Sequence, residues 1–314
     1  MTTERLTDSG TPGLAPEWRE WVVENLLLGT EPEELEEVLC AAGVDAEVAR
    51  AAVAAEAEDP YLVGCRRIGE QVLKLEGLLD VYSSLAEQSG AHQRLPRVDA
   101  LTPEAFFEHY YFANRPVLLE GMMTDWPAMR SGSSGLLRQR LGGAGALSST
   151  GPLPVCAQGP GLALTREPGT EGAALLEELR PPRGIVHPEH HRLGTTLWLE
   201  PAGALTPLHQ DARNVLLAQV HGRRQVKLIP SFQLHRVYST DGTFSPVDPS
   251  APDLERFPDF ARADVLDLEL EPGQMLFLPV GWWHWMRALD DGAAVCFFAF
   301  DAPEPNVAWM VPGS

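Results

Sequence analysis

The sequence predicts a mainly β protein with α content: a double-stranded β-helix, or jelly roll, preceded by an N-terminal helical region. Three observations predict it. From Thr195 onward, short apolar runs alternate with Gly/Pro turns and no long helical pattern intervenes. Before Gln88 the apolar residues recur instead at helical spacing. A His-x-Asp triplet, His209-Gln210-Asp211, lies in the strand-rich half and is answered much later by His284, which a rolled-up sheet can bring alongside it.

At 314 residues and 44% hydrophobic, the chain can bury one large domain, or one large and one small. Its formal charge of −20 argues against nucleic acid as a direct partner and suits a basic peptide or protein. Cys40, Cys65, Cys156 and Cys296 are widely spaced with no Cys-x-x-Cys, so neither a zinc knuckle nor a disulfide framework is expected. The opening residues do not read as a signal peptide and no apolar run approaches membrane-spanning length, so the expected location is the cytoplasm, with no membrane partner.

Taken in order, residues 1–15 read as a polar tail and 16–90 as the helical region. Helices are expected over Glu17–Leu28, Glu33–Ala42 and Asp45–Ala57, with Thr30 and Glu33 forming a capping box. A ubiquitin-associated-like bundle and a plain structural cap both fit them. A longer helix follows from Pro60 to about Gln88, where Tyr61, Cys65, Ile68, Val72, Leu75, Leu79 and Tyr82 form a heptad seam. That seam fits either a homodimer or packing across the chain's own second domain. Gly90–Arg97 reads as the linker to a domain over 95–302, and 303–314 as a C-terminal tail.

Ser131–His191 is poor in pattern, with one short helix expected over Gly172–Leu179. Its His187, His190 and His191 are either a solvated loop cluster or a second metal site. Strands are then expected at Thr195–Glu200, Val215–Val220, Gln225–Ile229, Val265–Leu270, Met275–Leu278, His284–Ala288 and Ala294–Phe300. Ser239–Phe260, rich in Pro and Asp, reads as a loop at the barrel mouth.

The site reading starts from donor chemistry. Two histidines and a carboxylate hold a non-haem iron on one face and leave its other positions open. On an extended strand, His209 and Asp211 share a face while Gln210 turns away. Taken alone, such a triplet is more often a surface strand or a hydrogen-bonded pair, and the spacing by itself does not select iron over zinc or manganese.

Four blocks in order carry a resemblance: Leu101–Phe107 with Asn114–Leu119 and Asp125–Pro127, then Thr206–Asp211, then Leu216–Arg224, then Leu278–His284. Over about residues 95–302 the chain resembles the cupin-like branch of the JmjC oxygenases, which includes the asparaginyl hydroxylase acting on hypoxia-inducible factor. The resemblance implies an Fe(II) site at His209, Asp211 and His284, with 2-oxoglutarate and O2 as cosubstrates. It implies hydroxylation of a carbon on a peptide, protein or amino-acid-like substrate, with demethylation as the same chemistry on an N-methyl carbon. Arg224 falls where the family usually has a lysine for the far carboxylate of 2-oxoglutarate, with Thr206 as the accompanying hydroxyl and Lys227, on the opposite strand face, as a lesser rival.

Asn214 stands one residue before the position of a family asparagine, and a local adjustment that turns it inward places it, with Trp198, among the expected cosubstrate-binding residues; Trp198, Leu217 and Met286 are expected to line the pocket or the core. Trp282 and Trp283 are expected to pack and orient His284. Ala299 lacks the polar group common at its position, and no tyrosine occurs between Tyr111 and Tyr238 to match one that helps hold the cosubstrate. These departures keep two other readings in view: a non-catalytic binding or scaffold protein, and a metal-dependent cupin that does not use 2-oxoglutarate.

Overall fold

A computed structural model describes residues 14–90, 92, 94–99, 101–131, 161–163, 171–187, 195–239 and 242–302. The chain divides into two compact units, Met1–Val81 and Tyr82–Ser314. The first holds helices α1 (Pro16–Leu27), α2 (Pro32–Ala41) and α3 (Ala46–Ala57), and helix α4 (Pro60–Ser89) runs through the division. Val22, Leu26, Leu35, Leu39, Ala49 and Val53, at helical spacing on their three helices, close a small core together with Leu62. Asp45 caps α3 by accepting the N–H groups of Glu47 and Val48.

The expected Thr30–Glu33 capping box does not form. Helix α2 opens at Pro32 with Glu31 at its cap and no side-chain cap bond. The physical reason is the proline: its fixed φ is already helical and its missing N–H would have been unpaired in any case. Along α4, the seam residues Tyr61, Ile68, Val72, Leu75 and Tyr82 are exposed. Among the described residues no helix is long and apolar enough to cross a membrane.

The second unit is built on strands β1 (Arg97–Val98), β2 (Val117–Leu119), β3 (Gly161–Ala163), β4 (Thr196–Glu200), β5 (Leu205–His209), β6 (Val215–His221), β7 (Arg224–Ile229), β8 (Leu266–Leu270), β9 (Met275–Leu278), β10 (Trp283–Ala288) and β11 (Gly292–Phe297). A seven-stranded sheet runs β1-β2-β9-β6-β11-β4-β3 and a four-stranded sheet runs β5-β10-β7-β8. Pairing is antiparallel throughout, except between β1 and β2. This is the jelly-roll core; β1, β2 and β3 are strands the sequence reading did not anticipate, and β5, expected only as the strand that His209 and Asp211 share, starts earlier and ends at His209, leaving Asp211 beyond it. The short helix expected over Gly172–Leu179 is present as α5 (Glu171–Glu178). His187 lies at the end of its described stretch, whereas His190 and His191 fall outside the described residues.

Alternation along β6 shows how the sheets are filled. Leu216, Ala218 and Val220 face one core, with Phe106, Tyr111, Phe277 and Phe297. Val215 and Leu217 face the other, between the sheets, with Val226, Leu228, Leu276, Leu278 and Met286. On β10 the same rule sends Trp283 and Trp285 outward, where they meet Leu208, Ile229, Val247, Phe257 and Phe260. The insert expected as a mouth loop is therefore largely a cover: Phe257 and Phe260 bury the outer face of the four-stranded sheet, and Pro258–Arg262 is a 3-10 turn. Aromatic burial at that spacing is what holds it there.

Candidate active site

Strands β5 and β10 pair with His209 directly opposite His284, and the two imidazole centroids lie 4.1 Å apart. Asp211 sits two residues past the end of β5, with one carboxylate oxygen 3.7 Å from His284 Nε2. One donor atom from each of the three residues fits within a 4.8 Å cluster. Both imidazoles are oriented from behind: Nδ1 of His209 meets the Pro207 carbonyl at 2.8 Å and Nδ1 of His284 meets the Trp282 carbonyl at 3.0 Å. A carbonyl only accepts, so each Nδ1 carries the hydrogen and each Nε2 presents a lone pair. His209 Nε2 is buried with no protein partner. An orphaned acceptor beside a second imidazole and a carboxylate is the donor set of a divalent metal, so these residues fit one.

Burial, reinforced by the neighbouring His284 and opposed by Asp211, pushes the His209 imidazole down to about 4. It is therefore neutral at pH 7. The unfolded chain takes its proton near 6.5 and the folded chain only near 4, so stability is fully present above about pH 6.5 and is lost as pH falls through that window. Acidifying the metal-free protein from pH 7 to 4 is expected to remove about 3 kcal/mol through this group. Urea melts at the two pH values check it, and a His209→Ala variant should lack that component.

The turn leading into β10 is fastened on three sides. The Val280 N–H donates to Asn214 Oδ1 at 2.9 Å, and the Val280 carbonyl accepts from Asn114 Nδ2 at 3.0 Å. Gly281 N–H donates to the Asp211 carbonyl at 3.0 Å, tying Asp211 to the turn that leads into His284. Gly281 sits at φ +80, and a Cβ there would meet Ser231 at 3.3 Å and Gln210 at 3.5 Å. Gly281→Ala is accordingly expected to cost about 1–2 kcal/mol in backbone strain. Asn214→Ala should cost about 1–2 kcal/mol by leaving the part-buried Val280 N–H without its partner. Chemical denaturation of both variants measures this. Asn214 thus serves the turn and is not among the residues lining the cavity.

The cavity behind the cluster is lined by Trp198, Glu200, Thr206, Val215, Leu217, Arg224, Leu278, Met286, Cys296 and Phe298, besides the two histidines and Asp211. A water-sized sphere can move its centre through about 60 Å³ of it, room for several waters or one small extended acid. Thr206, Arg224, Trp198, Leu217 and Met286 all line it. Lys227 is not: it bonds to Asp267 on the other face of β7. Burial pushes the Cys296 thiol up to about 12, so it lines the wall as a neutral group.

Glu200 is the residue the sequence reading missed. Arg224 Nη2 donates to its Oε2 at 2.6 Å, and the two side chains are 5% and 7% exposed. An acid at the end of a strand reads as solvated, and no local pattern announces a partner on the opposite sheet. Phe244 was also missed. It bridges to His209 from the insert and stacks on its ring at 5.6 Å, 25° from parallel.

A two-sheet barrel with His-x-Asp and a facing histidine at one end of its cavity defines the cupin class of metal-competent β barrels. Residues 164–304 match the family model described as the cupin-like domain. Among similar proteins is "Lysine-specific demethylase 8" of Xenopus tropicalis, 29% identical over 231 residues, which are 65% of this chain and 52% of that protein. "Lysine-specific demethylase JMJ30" of Arabidopsis thaliana is 38% identical over 105 residues, 32% of this chain and 24% of that protein. "HSPB1-associated protein 1" of Homo sapiens is 38% identical over 103 residues, 31% and 21% of the two chains. The chain therefore spans about half the length of the frog relative it matches, and less of the others.

Proposed function

We propose that the chain is an Fe(II)-dependent oxygenase that couples decarboxylation of a 2-oxo acid, 2-oxoglutarate in what the resemblance implies, to hydroxylation of a substrate C–H bond. The observation that carries this is the convergence of two oriented Nε2 lone pairs and one carboxylate at a cavity with a mostly apolar wall. The reaction balances as R–H, O2 and 2-oxo acid going to R–OH, CO2 and an acid one carbon shorter. Bound iron would supply coordination positions for the oxo acid and dioxygen and the redox equivalents for splitting the O–O bond. His209 and His284 would hold it as neutral donors, and Asp211 would contribute one negative charge. Val215, Leu217, Leu278 and Met286 keep bulk water from the reacting atoms. Phe244 and the Pro207 carbonyl fix the His209 ring in one orientation.

The substrate we propose is a peptide or protein side chain, or an amino-acid-like small molecule, with basic peptides favoured by the charge of −20. Relatives named as lysine-specific demethylases bring N-methyl carbons within the same proposal, since hydroxylation there is the first step of demethylation. The activity is assigned to residues 95–302, and the cytoplasm is the proposed location. The test is CO2 release from a panel of 2-oxo acids by iron-loaded protein with candidate peptides. Iron-dependent release that Asp211→Ala abolishes is expected; stoichiometric iron binding with no acid consumed would sink the proposal. The buried Glu200–Arg224 pair favours one second reading, a binding protein whose cavity takes no 2-oxo acid. On that reading, metal-ligand variants keep partner binding intact.

A further inference from the structure

Glu200 ends β4 in the seven-stranded sheet and Arg224 begins β7 in the four-stranded one, so their bond spans the barrel from sheet to sheet. Along β10, His284 lies level with Leu228 and Ala288 with Arg224. Four residues of strand, roughly 13 Å, thus separate the histidine level from the backbone that bears the guanidinium. Arg224 is the one Lys or Arg lining the cavity among the described residues, and its charge is already matched by Glu200. Its Nη1 meets Met286 Sδ at 3.4 Å, and its Nε is buried with no partner.

We propose that Glu200 decides which acid the cavity accepts. It holds the place on Arg224 that a ligand's far carboxylate would take, and so selects a metal-chelating 2-oxo acid with an uncharged amide tail over a dicarboxylate. This rests on the oxygenase reading above. A second carboxylate here would put two like charges on one guanidinium in a buried place, leaving one of them uncompensated. A terminal amide meets no such cost. Its NH2 donates to the Glu200 carboxylate and its carbonyl accepts from the unpaired Arg224 Nε, while Leu217, Met286 and Trp198 flank the methylenes.

The experiment titrates anaerobic Fe(II)-loaded protein with 2-oxoglutarate and with its 5-amide, following the visible metal-to-ligand charge-transfer band. The wild type is expected to bind the amide at least tenfold more tightly, and Glu200→Gln to shift the preference at least tenfold towards 2-oxoglutarate. Glutamine keeps an acceptor for the guanidinium, and the wild-type preference needs no variant at all. Tighter 2-oxoglutarate binding by the wild type, or a preference that Glu200→Gln leaves unmoved, overturns the role of Glu200 and leaves the oxygenase reading standing. Iron binding with no band from either acid overturns both.

Helix α4 independently carries an interaction surface. Tyr61, Ile68, Val72, Leu75, Leu78, Tyr82 and Leu85 form an exposed apolar stripe along 30 residues of helix, about 45 Å long. Gly64 and Gly69 beside it have nothing within 4 Å of where a Cβ would be, which leaves room for another backbone. The charges are polarised along the same helix. Its first half carries Arg66, Arg67 and Lys74 against the single acid Glu70, and its second half carries only acids, Glu76, Asp80 and Glu87.

We infer that the stripe pairs with α4 of a second copy of this chain, antiparallel, so that each basic half lies along an acidic half about a two-fold axis. Sedimentation of the full chain at micromolar concentration tests it. A dimer is expected, converted to monomer by Ile68→Glu with Leu75→Glu. It should be weakened at least tenfold by Arg66→Glu with Arg67→Glu, and restored when Glu76→Arg and Asp80→Arg are added. A monomeric wild type, or a dimer that both sets of changes leave intact, overturns it.

Discussion

His209→Ala is expected to give a folded protein that retains no iron and turns over at background. The ring's one hydrogen bond is to the Pro207 carbonyl two residues away, and its Nε2 bonds to no protein group, so the metal-free fold loses little hydrogen bonding with it. Removing it leaves one imidazole and one carboxylate, too few donors to hold a divalent ion against water. Iron affinity should fall by more than the roughly 10–100-fold that loss of a supporting outer contact costs. Metal content after desalting measures the first effect, and CO2 release the second. Retained iron at wild-type stoichiometry would remove His209 from the site.

Trp282→Ala is expected to have the largest effect on stability. The indole is 1% exposed and packs with Leu118, Leu228 and Leu278 between the sheets. Its N–H lies 2.8 Å from both the carbonyl and the side-chain oxygen of Asn114, a residue held at φ 48. Removing the ring should cost about 3–5 kcal/mol, the range for deleting a large buried aromatic. Trp282→Phe should cost about 1–2 kcal/mol, mostly for the lost N–H bond. The Trp282 carbonyl also holds His284 Nδ1, so the alanine variant should bind iron about 10–100-fold more weakly. Urea midpoints and metal titration read the two losses separately.

The three candidate ligands were legible because strand periodicity and donor chemistry are both written locally. Of strand β5, which delivers His209, only the end was. Pro207 sits in its middle, and a proline argues against a central strand. The sheet order resolves this: β5 is an edge, where the missing N–H costs no ladder bond. Strands β1 and β2, of two and three residues, are too short to show any period, and their partners lie far along the chain. The capping box at Thr30 failed because Pro32 fixed the start of its helix first. Glu200 stayed hidden for a different reason, since its partner is set by how one sheet closes over the other, and no stretch of sequence records that.

The facing positions of His209 and His284 have one more consequence. On β10 the inward side chains are His284 and Met286, and the outward ones Trp283 and Trp285. A pairing slip of a single residue would turn a tryptophan towards the cavity and carry the histidine outside. Competence to hold iron and correct strand alignment are thus one event, and a misaligned chain is blind to the ion. Iron added during refolding would therefore act as a proofreader, drawing properly aligned molecules out of the population and leaving the rest behind.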